Sequence, residues 1–188
     1  GNRVRPVELG VMAEVGCVEV PVYCQPTVGI ISTGDELVDA ADTPTAGHIR
    51  NSNGPLLSAL ITQSGAIARG LGIVRDDQQA LREMIKTGLQ NDVLLLSGGV
   101  SAGTKDYVPA MLQQCNVDEI FHKVQLKPGK PLWFGVARQS DHGCLVFGLP
   151  GNPVSSLVCY LLFVCFFLFF CNVSPRPPRP SSRRAPPR

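Results

Sequence analysis

Five short stretches of this 188-residue chain carry residue types suited to gripping an anion or a metal. The most specific is Leu94–Asp106, LLLSGGVSAGTKD. An apolar run breaks at Ser97-Gly98-Gly99, passes Val100, Ser101 and Gly103, and reaches an acid at Asp106. Glycines after a buried strand let the backbone approach a phosphate closely and offer it N–H groups, and Asp106 suits Mg2+ or a polar ring edge. It is neither a G-x-x-x-x-G-K-S/T phosphate loop nor a G-x-G-x-x-G turn. Thr33-Gly34-Asp35 sets a carboxylate at a strand end, and Asp76-Asp77 sets two before a helix; read alone, the first is better taken as a turn and helix cap and the second as an ordinary N-cap pair. Lys127 and Lys130, stiffened by Pro128, Gly129 and Pro131, present two cations to an oxyanion, or form a solvated basic turn. Pro150-Gly151-Asn152-Pro153 with Ser155 makes a rigid elbow before a helix, where the dipole and free N–H groups favour an anion. His48, His122 and His142 have no carboxylate or thiol at ligand spacing and read as surface or turn residues.

The elements that must position these loops follow from apolar spacing. Thr27–Ser32 is short, β-branched and apolar, as a strand covered on both faces should be. Gly54-Pro55 starts a helix through Leu57, Leu60 and Ile61 that stops at Gly65. A second strand is predicted over Ile67–Val74, and a second helix over the spacing of Leu81, Met84, Ile85 and Leu89. Val93–Ser97 is the third strand, and a third helix runs from Asp106-Tyr107 through Met111 and Leu112. This alternation predicts an α/β fold: a mostly parallel sheet with helices on both faces. Beyond Cys115 the pattern predicts a strand over Ile120–Leu126, a hairpin of Leu132–Val136 with Cys144–Leu149, and a last helix from Val154. Val18–Val22 reads as extended, and Pro21 and Pro26 suit a linker or sheet edge better than a core.

Charge and composition exclude some classes. Five arginines and no acid lie in Pro175–Arg188, so the preceding body is mildly acidic although the whole chain is +2. No basic helix or sheet face is present, which argues against nucleic-acid binding. The seven cysteines show no C-x-x-C, so single reduced thiols in apolar surroundings fit better than a zinc site or disulfide framework. No signal peptide opens the chain, which begins with Gly and reads as part of something longer. Leu157–Cys171 has no charge, yet falls short of the ~20 apolar residues that span a bilayer, so a sheet-packing helix is expected.

In this order, TGDEL, IRNSN, GIVRDD, SGGVSAGTKDY, LKPGKP and GLPGNPVS resemble the molybdopterin molybdenumtransferase (MoeA) family, which includes the gephyrin E domain. The resemblance covers about Gly1–Phe163 and implies a MogA-like, molybdopterin-binding three-layer sandwich. On that basis residues 1–26 are the end of a preceding domain with a linker, 27–171 the binding domain, and 172–188 a disordered Pro/Arg-rich tail. The implied activity is insertion of molybdate into adenylylated molybdopterin, with Mg2+-dependent release of AMP, in a cytoplasmic homodimer. Carried onto this chain, Asp35, Asp76 and Asp106 contact pterin or Mg2+, with Asp35 and Asp106 as the metal ligands. Thr33, Gly34, Ser97, Gly98, Gly99, Val100, Ser101, Gly103, Pro150, Gly151 and Asn152 hold the pterin or its phosphate. Lys127, Lys130, Pro131 and Ser155 hold molybdate; two ammonium groups and a hydroxyl at a helix N-terminus are what a tetrahedral dianion needs.

Where this sequence departs from the family, the family's first domain, most of its second and its C-terminal β domain have no counterpart. The last helix turns from family pattern to VCFFLFFC after Phe163, an abrupt shift that reads as a premature end or misread frame. Two other readings follow: a catalytically incomplete binding or gephyrin-like scaffold module, and a MogA-type molybdopterin adenylyltransferase. KPGKP and PGNPVS favour the insertase over the second of these.

Overall fold

The computed structural model describes residues 4–100, 107–138 and 143–173, with side chains through 169. Ser101, Gly103, Asp106 and His142, and the tail from 174 onward, lie outside the described residues. In chain order the elements are α1 (Pro6–Glu14), β1 (Thr27–Thr33), β2 (Leu37–Val38), β3 (Ile49–Arg50), α2 (Asn53–Gln63), β4 (Ile67–Val74), α3 (Gln78–Gly88) and β5 (Val93–Ser97). They continue with α4 (Val108–Gln114), β6 (Val117–His122), β7 (Trp133–Arg138), β8 (Gly143–Leu149), α5 (Pro153–Cys159), a π turn (Tyr160–Val164) and α6 (Cys165–Val173).

Six strands form one sheet in the order β4-β1-β5-β8-β7-β6. β4, β1, β5 and β8 are mutually parallel, and the β6–β7–β8 edge is antiparallel. The apolar strands β1 and β5 are buried along their whole length, because alternate side chains feed cores on opposite faces. Ile31, Leu94 and Leu96 pack with α3 and α4 on one side. Val28, Ile30, Val93 and Leu95 pack with α2 and the C-terminal helices on the other. The fold is thus the expected α/β three-layer sandwich. At the opposite end from the glycine loops, Asp92 ties β1 to β5: its Oδ2 accepts from Thr27 N at 2.7 Å and Thr27 Oγ1 at 3.0 Å.

Sheet topology fixes where a ligand can sit. β1 connects through α2 to its neighbour β4, whereas the chain returns through α3 to β5 on the other side of β1. Connections leaving β1 and β5 therefore diverge, opening a crevice beyond their carboxyl ends.

Two sequence expectations need correction, and a third is narrowed. The strand expected over Ile120–Leu126 is β6, Val117–His122. It starts earlier because Asn116, with φ of 58°, reverses the chain directly after α4, and it stops because Lys123 adopts φ of 72°. Val18–Val22 forms no strand and stays exposed, which fits the linker alternative and not the sheet edge, and α1 buries no residue. The expectation of thiols in apolar surroundings holds for Cys144 and Cys159, which are buried, but not for Cys17 and Cys24, which are exposed.

The apolar C-terminal helix packs on the sheet along one face. Tyr160, Val164 and Leu168 are buried, while Leu161, Leu162, Phe166 and Phe169 are exposed. Among the described residues no helix is long and apolar enough to cross a membrane. The two faces make a direct test by denaturant unfolding: Leu168→Ala should cost ~2–5 kcal/mol, and Leu162→Ala no more than ~0.5 kcal/mol.

Candidate functional site

A cleft of about 570 Å³ lies at the carboxyl ends of the parallel strands. Its walls are Thr33 and Gly34 after β1, Ser97–Val100 after β5, Pro150–Pro153 after β8 and Asp76 after β4. Pro131 of the lysine loop enters it, as do Glu36, Leu37 and Ile49–Asn53 from the segment around β2, β3 and the start of α2. Loops far apart in sequence therefore meet at one rim.

The diglycine turn is required by close approach. Gly98 and Gly99 have φ of 96° and 65°, a left-handed region open to glycine. A Cβ on Gly98 would sit 2.5 Å from the Thr33 carbonyl oxygen, and one on Gly99 2.7 Å from Val108 Cγ2. Gly98 N–H donates to Leu149 O at 3.0 Å and Gly34 N–H to Val74 O at 3.2 Å, so these two donors extend the sheet rather than stand free.

The acidic residues separate by role. Asp77 caps α3, accepting from Gln79 N at 2.8 Å and Ala80 N at 3.1 Å. Asp76 lines the cleft. Its backbone N–H donates to Asp35 Oδ1 at 3.0 Å, so Asp35 braces the β4–α3 loop against the β1 loop. Among the described residues no three His, Cys, Asp or Glu side chains gather as a metal site.

The elbow after β8 differs from its expected form. Asn152 Oδ1 accepts from Val154 N at 3.0 Å and Ser155 N at 3.1 Å, so the first helical N–H groups are capped by the chain itself. Ser155 Oγ lies 3.5 Å from the same oxygen. Pro150, Gly151 and Asn152 line the cleft; Ser155 does not.

Lys127 and Lys130 are exposed. Their loop is held by Val124 N–H on Lys130 O at 2.9 Å and by Leu132 N–H on Gly129 O at 3.2 Å. Gly129 rests on α5, where Cys159 Sγ donates to its carbonyl at 3.6 Å. Burial pushes the Cys159 thiol up to about 11, so it packs rather than reacts.

Of the two described histidines, His48 meets the expectation of a surface or turn residue and His122 does not. His48 Nδ1 pairs with Thr45 Oγ1 at 3.0 Å in an exposed loop. His122 instead lies in β6 with Nε2 3.1 Å from Val100 O, bracing the glycine turn.

Sequence reasoning assigned no role to Glu36, Arg50, Asn51 or Asn53, all of which line the cleft. Asn51 Oδ1 accepts from Gly54 N at 3.0 Å and Ser32 Oγ at 3.2 Å, fixing the start of α2 over β1. Asn53 Nδ2 donates to Ser97 Oγ at 2.6 Å and Gly151 O at 2.8 Å. The signal available was IRNSN, two amides spaced by one residue directly before a helix.

Residues 29–169 match the family model described as "Probable molybdopterin binding domain". The chain belongs to this family. Within it, the chain is 39% identical over 181 residues to a molybdopterin molybdenumtransferase of Synechococcus elongatus, covering 95% of this chain and 44% of that protein. It is 38% identical to that of Bacillus subtilis over 165 residues, covering 87% of this chain and 37% of that protein. The chain thus spans less than half the length of these relatives. Among solved structures, a molybdopterin biosynthesis MoeA protein from Pyrococcus horikosii superposes with TM-score 0.79 at 30% identity, over 91% of this chain and 41% of that one. The tungsten cofactor synthesizing protein MoaB from Pyrococcus furiosus shares the fold, with TM-score 0.53 at 20% identity, over 79% of this chain and 98% of that one.

The tight turn yields a test. Gly98 and Gly47 both have positive φ, but only Gly98 has neighbours within reach of a Cβ. Gly98→Ala should lose at least ~2 kcal/mol more stability than Gly47→Ala, read by urea unfolding; equal losses would show that the backbone angle, not the contact with Thr33, sets the requirement.

Proposed function

We propose that this chain carries the pterin-binding part of a site that inserts molybdate into adenylylated molybdopterin, releasing AMP with Mg2+. The observation supporting this reading is the cleft itself. It joins the diglycine turn, the Pro-Gly-Asn elbow, Asp76 and Pro131 at the carboxyl ends of four parallel strands. The relatives, molybdopterin molybdenumtransferases, supply the reaction class. In this reading residues 27–171 are the binding unit, residues 1–26 lead in from a preceding domain, and the working enzyme is a cytoplasmic homodimer.

The pterin with its phosphate lies along Thr33, Gly34, Ser97–Val100 and Pro150–Asn152, continuing to Ser101 and Gly103. Molybdate is held by the ammonium groups of Lys127 and Lys130 beside Pro131, with Ser155 contributing a hydroxyl. Two cations on a proline-stiffened loop offset the oxyanion's charge and position it against the pterin. Glu36 and Asp76 line the cleft, and Asp35 braces the latter. Hard carboxylate oxygens beside a phosphate-binding turn fit Mg2+, which is held by one or two carboxylates together with substrate phosphates. Asp35 and Asp106 would hold it, with Asp76 in reach. When bound, Mg2+ supplies charge neutralisation at the phosphoanhydride.

A second reading, a binding or scaffold module without turnover, is favoured by the elbow after β8, where Ser155 does not line the cleft and Asn152 Oδ1 occupies the first helical N–H groups. Titration of the chain with adenylylated molybdopterin, followed by molybdate and Mg2+, separates the two. The insertase reading expects binding and molybdate-dependent AMP; binding without release supports the module, and no binding defeats both. In an assembly that turns over, Lys127→Ala and Lys130→Ala should each raise the molybdate concentration needed for half-maximal AMP release about tenfold, near 1.4 kcal/mol. An unchanged molybdate dependence would remove the lysine pair from the oxyanion site.

A further inference from the structure

We propose that Asn53 reads the donor edge of the pterin ring: its Oδ1 accepts a hydrogen bond from the ligand's 2-amino group. This inference rests on the pterin-binding reading of the cleft. Asn53 opens α2, lines the cleft and is 7% exposed. Both hydrogens of Nδ2 are spent, one on Ser97 Oγ at 2.6 Å and one on Gly151 O at 2.8 Å. A backbone carbonyl only accepts, so the nitrogen must face Gly151, and the orientation of the amide is fixed. Its oxygen is then left buried with no hydrogen-bond partner.

An unpartnered buried acceptor is costly, and a ligand donor is one reason a fold tolerates it. Phosphate and molybdate oxygens accept hydrogen bonds and carry negative charge, so neither can fill this role. A pterin presents two N–H donors side by side on its pyrimidine edge. Placing that edge over Asn53 leaves the oxyanion end of the ligand to other parts of the rim. Asn91 Oδ1 is also buried and unpartnered, but it lies before β5, at the opposite end of the strand from the cleft. An orphan oxygen alone is therefore not the signal. The combination of a fixed amide, an orphan acceptor and a cleft wall occurs at Asn53.

The test uses 6-hydroxymethylpterin phosphate and its lumazine counterpart, in which a carbonyl replaces the 2-amino group, titrated calorimetrically into the 188-residue chain. The wild type should bind the pterin at least about tenfold more tightly, as a site built for a donor rejects the analogue lacking it. Asn53→Ala should abolish that preference, and Asn91→Ala should retain it. A wild type that binds both probes equally overturns the assignment and leaves the cleft reading standing; a wild type that binds neither overturns both. A preference that survives Asn53→Ala, or an equal loss of affinity for both probes, also overturns the assignment. If Asn53→Ala fails to fold, the Asn53 side-chain amide resonances of the wild type decide instead. They should move on adding the pterin and not the lumazine, and their failure to move with the pterin refutes the assignment.

Discussion

A sheet buried on both faces leaves polar chemistry nowhere to go except its ends. β1 and β5 expose almost nothing along their length, and the helices on either side fill the two cores. A charged or polar ligand placed against either face would meet a hydrophobic core, at a large desolvation cost. The strand ends escape this constraint because backbone groups there have run out of ladder partners. Divergence of the connections at β1 and β5 then makes one end a crevice instead of a sealed edge. The opposite end is closed by Asp92 across Thr27.

The crevice is shaped by short polar cross-links more than by apolar packing. Thr33 Oγ1 reaches Ser97 O at 3.4 Å, Gly98 reaches Leu149, Asp35 reaches the Asp76 backbone, and His122 reaches Val100. Each link joins residues distant in sequence, so the turns are held by the tertiary fold and not by their local preferences. Two amides in IRNSN add the remaining ties, one to α2 and one across β5 and β8. The charged groups, by contrast, are peripheral: both lysines and Asp35 are exposed. The rim is therefore a firmly held polar frame with exposed charge around it. That suits a ligand with a rigid ring at one end and oxyanions at the other.

Most of this architecture is legible in the sequence because apolar periodicity and glycine position report on the same physics that builds the sheet. Val93–Ser97 and Ile67–Val74 coincide with their strands, and Asp77 caps the helix it was expected to cap. Errors arose where one residue in a left-handed conformation overrode an apolar run: Asn116 and Lys123 set the limits of β6, although Val124-Gln125-Leu126 looks like its continuation. The two-residue pair β2–β3 is too short to leave a periodic signal, yet it carries Arg50 and Asn51 into the cleft. Charge, glycine or flanking prolines mark most of the site residues, Asn152 included, whereas the amides of IRNSN carry no such local mark. Asn53 was missed for that reason, since its importance lies in which atoms it joins across 44 and 98 residues. Capping at Asn152 was likewise invisible as a competitor for the helix N–H groups, because local capping and ligand binding use the same residue types.

The central claim is that the carboxyl ends of β1, β5 and β8 form one binding rim for a phosphorylated pterin. A crystal structure of the chain with a pterin phosphate tests it most directly. The ligand should lie against Gly98, Gly99 and Gly151, with the Pro131 loop flanking it. Density instead in the smaller depression between α3 and α4, against Gln79, Arg82 and Gln114, would contradict the account.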